Sequence, residues 1–137
     1  MNRYMGIDYG SARVGISITD PLKIIASDFE VIKNIDVKST INRIDEICKL
    51  KKVEKIIIGL PLNMDGTKGF QAQEVEAFVE EMSKVISLQV VYMDERLSTK
   101  RAEEVMREMK MSHEDIKDKS DAKAASVILQ DYIDYNN

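Results

Sequence analysis

The stretch Tyr4-Met5-Gly6-Ile7-Asp8-Tyr9-Gly10-Ser11-Ala12-Arg13-Val14-Gly15-Ile16-Ser17-Ile18-Thr19 holds two strands and the turn between them. In its second half Val14, Ile16 and Ile18 alternate with Gly15, Ser17 and Thr19, the period of two that marks a strand. Its first half, Tyr4 to Asp8, is a short apolar run suited to a buried strand, with an acid at its end. Outward from there, Asp20-Pro21 supplies a turn, and a third strand is expected around Ser27 to Ile32. The chain therefore opens as an antiparallel meander.

The period then changes. Val37, Ile41, Ile44 and Cys48 follow helical spacing and predict an amphipathic helix from about Asp36 to Leu50. Lys55 to Leu60 is a nearly continuous apolar run, as in a strand covered on both faces. Pro61 to Gly66 reads as a loop, and Val75, Phe78, Val79, Met82, Val85 and Ile86 as a second helical stripe. Val90 to Met93 is a further buried strand that ends in Asp94-Glu95-Arg96. Ser98 can cap a third helix carrying Ala102, Val105, Met106 and Met109. After a polar stretch, a last helix is expected from about Ser120 to Tyr135. The order βββαβαβαα predicts one α/β domain over residues 1–137: a mixed five-stranded sheet, antiparallel meander then βαβ crossovers, flanked by helices. Right-handed crossovers leave few other topologies, and this order is the RNase H-like one.

Composition narrows the chemistry. A single cysteine, Cys48, excludes an internal disulfide and falls among the core positions of its helix. The only histidine, His113, has no nucleophile motif beside it, which argues against a Ser-His-Asp or Cys-His hydrolase. One Cys and one His leave zinc without ligands, so a metal here is expected to be hard and oxygen-bound, Mg²⁺ or Mn²⁺. No apolar run approaches the ~20 residues of a membrane span, and no signal-peptide pattern opens the chain. A cytoplasmic protein with no membrane partner is the expectation. The net charge of −4 is opposite to that of a nonspecific nucleic-acid binder, so binding would need a local basic surface.

Three acidic positions stand out. Asp8 sits in an apolar strand, where a carboxylate is costly unless something such as a bound cation compensates it. Gly6 and Gly10 flank it and would let a phosphate or a backbone approach; a turn cap is the simpler alternative. Asp94 and Glu95 end a buried strand, where open α/β sheets place their ligands. Asp121 falls in the first turn of the expected last helix and shares a face with Ala125, Ile128, Leu129 and Tyr132, so it faces the sheet. Favourable placement at a helix N-terminus would also explain it. Converging, the three could hold two metal ions ~4 Å apart and drive in-line phosphodiester cleavage by activated water.

GIDYGSARVGIS (residues 6–17), IIIGLPLNMDGT (56–67), DERLST (94–99) and KSDAKAASVILQDYI (119–133) together resemble the motifs of the YqgF/RuvX family. The resemblance runs through essentially the whole chain in the right order. It implies an RNase H-like fold, a cytoplasmic location and a role in 16S rRNA maturation, with Holliday-junction resolution as the family's other described activity. It also maps Asp8, Glu95 and Asp121 onto the acidic site, with Asp94 a substitute for Glu95.

Around these residues, Arg13, Asn63, Thr67, Arg96, Lys119 and Lys123 are candidate substrate contacts, with Lys68, Lys100 and Arg101 as further cations. Asn63 and Thr67 have a plainer reading, with Asp65-Gly66 turning the loop and Thr67 capping a helix. The run from Lys49 to Lys55 reads as a solvated helix end. An actin-like ATPase also uses Asp-x-Gly in a phosphate hairpin but needs two related domains, more than 137 residues supply. A non-catalytic nucleic-acid-binding or assembly factor on a nuclease fold is the rival from another class. Against it stand three retained, mutually repelling carboxylates. The substrate expected is RNA, the 5′ region of precursor 16S rRNA in a ribosomal precursor particle, over a DNA four-way junction. Few cations limit the phosphates that can be neutralised, and Tyr9 could stack an unpaired base, with core packing an equal alternative for it. A junction enzyme would also want a two-fold dimer, whereas a single-strand nuclease works as a monomer.

Overall fold

β1 (Arg3–Tyr9) and β2 (Arg13–Thr19) pair antiparallel, with Met5 opposite Ile18 and Asp8 opposite Gly15. β3 (Ala26–Lys33) continues the meander as the edge strand, through a bulge after Ile16. Asp20 shapes the turn between them, its Oδ1 accepting from the Ile24 and Ile25 N–H groups, both at 2.8 Å. The computed structural model describes residues 2–63, 65–94 and 113–136, with 113–122 described through the backbone.

The remaining elements are α1 (Val37–Lys51), β4 (Val53–Leu60), α2 (Phe70–Ser83), β5 (Gln89–Asp94) and α3 (His113–Asn136). β4 lies parallel to β1 and β5, which gives a five-stranded sheet in the order β3-β2-β1-β4-β5. The expected mixed sheet is therefore present, with α1 and α2 on one face and α3 on the other. The expected helix carrying Ala102, Val105, Met106 and Met109 lies outside the described residues.

Alternation divides the apolar residues between two cores. Met5, Ile7, Val14, Ile16, Ile56 and Ile58 face α1 and α2, where Ile44, Ile47, Val75, Phe78 and Met82 meet them. Ile57 turns the other way, onto Ile128, Leu129 and Ile133 of α3. α1 starts at Asp36, whose carboxylate accepts from the Ser39 N–H at 2.8 Å, and ends at Lys52 in the left-handed region. Lys49 and Lys51 occupy its last turn, where the helix dipole favours cations. Arg43 on α1 ties the helix to β3 by a two-pronged bond to Glu30, at 2.6 and 2.9 Å.

Three details differ from the sequence expectation. Val37 heads α1 but is left exposed. α2 stops at Ser83, where Val85 and Ile86 N–H groups fold back to the Met82 carbonyl, so Val85 is exposed while Ile86 is buried. α3 begins at His113 and not near Ser120. The polar run before Ser120 lacks an apolar stripe, but its Glu and Lys are good helix formers and the helix extends through it.

Cys48 is buried in the larger core, and that burial pushes its thiol up to about 12. A thiol reagent at pH 8 should leave the native protein unmodified and label Cys48 fully in guanidinium. Native labelling at the unfolded rate would contradict this packing.

Candidate active site

Asp8 lies near the carboxyl end of β1, half-buried. Its neighbours Ile7 and Tyr9 face the larger core, and the Tyr9 ring stacks on Phe78 of α2 with centroids 4.3 Å apart. Of the two readings open for Tyr9, stacking a base or packing, the structure shows packing. By alternation Tyr4, Gly6 and Asp8 share the opposite face, with α3. Asp8 is flanked there by small residues: Gly15 is its partner on β2, and Gly59 on β4 shares the face, being paired with Met93 of the α3-side cluster.

α3 touches the sheet most closely at Gly6. A Cβ on Gly6 would run into Ser17 Oγ, and would stand 2.7 Å from the Ala125 carbonyl oxygen and 2.8 Å from Leu129 Cβ. Ser17 Oγ, fully buried, donates to that same carbonyl at 2.8 Å. Further along, the Tyr132 ring meets the Tyr4 ring edge-on at 6.0 Å. From Ala125 to Tyr132 the helix therefore follows β1 backwards, from Gly6 to Tyr4. In the other direction, one turn before Ala125 is position 121, about 6 Å along the helix axis. Two residues beyond Gly6 is Asp8, about 7 Å along the strand. The backbone register runs Asp121 toward the Asp8 end of the sheet.

That placement changes the reading of Asp121. It lies more than two turns inside α3, not in the first turn, so the helix N-terminus no longer explains its charge. Asp94 moves the other way. It is exposed at the end of β5, and alternation puts it with Val90 and Tyr92, on the face opposite Val91, Met93 and Asp8. Glu95, Arg96, Lys100 and Arg101 lie outside the described residues, and Lys119 lies within α3. Among the described residues no three of His, Cys, Asp and Glu gather as a metal cluster, Asp8 being the one candidate carboxylate on its face whose side chain is described.

The expected substrate contacts divide. Arg13 heads β2 on the Asp8 face, opposite Lys33 of β3, a second cation that the sequence reading passed over. Lys123 reaches Asp28 at 3.3 Å, and Lys68 reaches Glu76 at 2.9 Å. Asn63 and Thr67 serve their own loop: Asn63 Nδ2 donates to Thr67 Oγ1 at 2.9 Å, and Thr67 Oγ1 donates to Asp65 Oδ1 at 2.6 Å. Thr67 does not cap α2, whose N-cap is Gly69. Asn34 is another missed residue. Its Nδ2 donates to the Gly10 carbonyl at 3.0 Å and its Oδ1 accepts from buried Thr40 at 2.9 Å, bracing the turn after Asp8.

The family described as RuvX, Holliday junction resolvase, matches residues 2–135. The chain belongs to the RuvX family. A protein of Endomicrobium trichonymphae named "Putative pre-16S rRNA nuclease" is 45% identical over 135 residues, 98% of this chain and 96% of that protein. One of the same name from Desulforamulus reducens is 39% identical over 132 residues, 96% of each chain. Among solved structures, T. thermophilus RuvC in complex with a Holliday junction superposes with a TM-score of 0.57 at 15% identity, covering 99% of this chain and 96% of that one. Fowlpox virus resolvase, also with junction DNA, gives 0.59 at 11% identity, covering 98% of each. At such identities the likeness is one of fold, the RNase H-like arrangement of sheet and helices.

In this RuvX-family chain Gly6 sets how closely α3 can lie on the sheet. Gly6→Ala should therefore cost about 3 kcal/mol, the upper range for overpacking a tight site, read as a lowered denaturant midpoint. An unchanged midpoint would mean that α3 can lift off β1 without penalty.

Proposed function

We propose that this chain is a divalent-metal-dependent endonuclease that hydrolyses phosphodiester bonds in the 5′ region of precursor 16S rRNA. The observation that carries the reading is the α3 register, which runs Asp121 toward Asp8 on a face floored by glycines. The names of the 45% and 39% identical relatives support the activity and the rRNA substrate.

Asp8, Glu95 and Asp121 are the residues assigned to hold the metal, Mg²⁺ or Mn²⁺. Carboxylates are hard oxygen donors that suit these ions, and Gly15 and Gly59 set no side chain beside Asp8 on that face. When bound, such ions lower the pKa of water and offset charge on the phosphate. Glu95 is preferred to Asp94 because Asp94 falls on the wrong face of β5. Arg13 and Lys33, directly opposite one another, are assigned to substrate phosphates. Lys123 and Lys119 remain candidates farther along α3, the first already shared with Asp28.

The family's own description favours a second reading, resolution of DNA four-way junctions. A junction presents many phosphates on several duplex arms, and among the described residues Lys23, Arg43, Lys49, Lys68, Lys84 and Lys123 are already shared with carboxylates. A short RNA strand asks for fewer. The proposal extends to a cytoplasmic setting on a ribosomal precursor particle; among the described residues no helix is long and apolar enough to cross a membrane.

Asp8→Asn and Asp121→Asn should each lower kcat/KM at least a thousandfold, about 4 kcal/mol of transition-state stabilisation, with the thermal melt retained. Full activity in either folded variant would remove that residue from the site. Glu95→Gln should match them while Asp94→Asn stays active; the reverse pattern would exchange the two roles.

EDTA should abolish cleavage, and Mg²⁺ or Mn²⁺ should restore it, while Ca²⁺ supports the reaction poorly. Labelled precursor rRNA and a four-way junction, offered at matched salt, decide the substrate. Asp8-dependent cutting of the junction alone would reverse the assignment.

A further inference from the structure

We infer that the pocket at the amino end of β1, between α3 and the β2–β3 turn, is a nucleotide site. Lys55 and the Tyr132 hydroxyl take the phosphate, and Leu22 and Ile24 take the base beside it. The pocket is separate from the Asp8 site and does not depend on the nuclease reading. Four strand residues part Tyr4 from Asp8, about 13 Å, and α3 presses on the sheet at Gly6 between them.

Lys55 is the residue that its surroundings leave unmatched. It pairs with Tyr4 across β4 and β1, and two residues on, on the same face, Ile57 is fully buried beneath α3. A lysine drawn in beside such a helix is usually paired with an acid. Among the described residues no carboxylate lies within ion-pair distance of Lys55; the adjacent Glu54 bonds Lys23 and acts on Lys55 from farther off. The Lys55 ammonium donates instead to the Tyr132 hydroxyl at 3.0 Å. It stands 5.1 Å from the centre of the Tyr4 ring and 5.4 Å from that of Tyr132. The bond to the hydroxyl is the main reason that the Lys55 pKa is raised, so its charge is kept at neutral pH. Tyr132, having accepted from Lys55, still has its own O–H to donate.

The walls are held in place from outside. The cavity measures about 380 Å³, at the small end of ligand sites, which suits one nucleotide and not a duplex. On one side Tyr132 meets the Tyr4 ring edge-on. On the other stands the β2–β3 turn, with Leu22 65% and Ile24 56% exposed. The turn is braced by Asp20, which accepts from the Ile24 and Ile25 N–H groups, and by Gln130 of α3, which donates to the Ile24 carbonyl. Lys23, between Leu22 and Ile24, adds a second ammonium 5.3 Å from the Tyr4 ring centre, its charge shared with Glu54. Walls ordered beforehand leave less entropy to be lost on binding. An inorganic phosphate meets only the cationic half of this lining, and a nucleoside only the apolar half.

Equilibrium dialysis of labelled adenosine monophosphate tests the site. Wild type should bind one equivalent with a dissociation constant below about 1 mM, and should bind phosphate alone or adenosine alone more weakly. Lys55→Met keeps the stem and removes the charge, and should weaken binding about tenfold. Tyr132→Phe should weaken it about threefold, and both variants should keep their melts. Asp8→Asn should bind as wild type does. A short single-stranded RNA that displaces the mononucleotide from Asp8→Asn assigns the pocket to a nucleotide of the strand; failure to displace it assigns the pocket to the free nucleotide. No saturable binding by wild type, wild-type affinity in Lys55→Met, or loss of binding in Asp8→Asn would each overturn the proposal.

Discussion

At Gly6 the backbone of β1 and the backbone of α3 come into contact with no side chain between them. Glycine permits this because any Cβ would occupy space held by Ser17 Oγ, the Ala125 carbonyl and Leu129. The buried Ser17 hydroxyl donates to the Ala125 carbonyl. A helix carbonyl that also accepts from the sheet cannot slide along it, so this bond fixes the register of α3 on β1. Other bonds hold the helix farther down. Gln130 accepts from the Ala26 N–H and donates to the Ile24 carbonyl, and Lys55 donates to the Tyr132 hydroxyl at 3.0 Å. The direction in which α3 runs Asp121 follows from these contacts, all of them at least a turn away from it.

The net charge of −4 says little about the surface near Asp8, because much of the charge is consumed locally. Glu30 is held below the usual carboxylate range by Arg43, and Glu54 by Lys23. Asp20 and Asp36 are lowered by backbone N–H groups, in their capping and turn roles. Lys49, Lys68 and Lys84 each reach a carboxylate on or near their own helix. A formal sum counts all of these at full weight, whereas a phosphate at the sheet end responds to the charges near it within a Debye length. Arg13 and Lys33 become neighbours only through β2–β3 pairing, since twenty residues of chain separate them.

Much of the fold was legible because it rests on period. Val14, Ile16 and Ile18 had to share a face, as did Ile41, Ile44 and Cys48, and both sets are buried in one core. Asp8 was legible as an acid in an apolar strand. Local signals misled where the deciding partner is remote: Tyr9 looked available until Phe78 of α2 covered it, and Lys123 until Asp28 of β3 met it. The choice between Asp94 and Glu95 was open for a related reason. Adjacent strand residues point to opposite faces, so the face that Asp94 takes depends on which β5 residues meet α3, and Val91 and Met93 show that only in three dimensions. The start of α3 was obscured because a polar run has no apolar stripe to reveal it.

The motif residues around Asp8 also divide by the work they do. Asn63 and Thr67 look like phosphate ligands in sequence, being polar, closely spaced and beside Asp65-Gly66. In the fold their side chains bond one another and close the β4–α2 loop. Asn34 does the same for the turn after Asp8, and buried Thr40 holds Asn34 in turn. A site that must meet a developing charge gains most when its supports are ordered before the substrate arrives, and side-chain bonds within a loop supply that order. A polar motif can therefore be conspicuous because it builds the frame of a loop, with its side chains spent on one another.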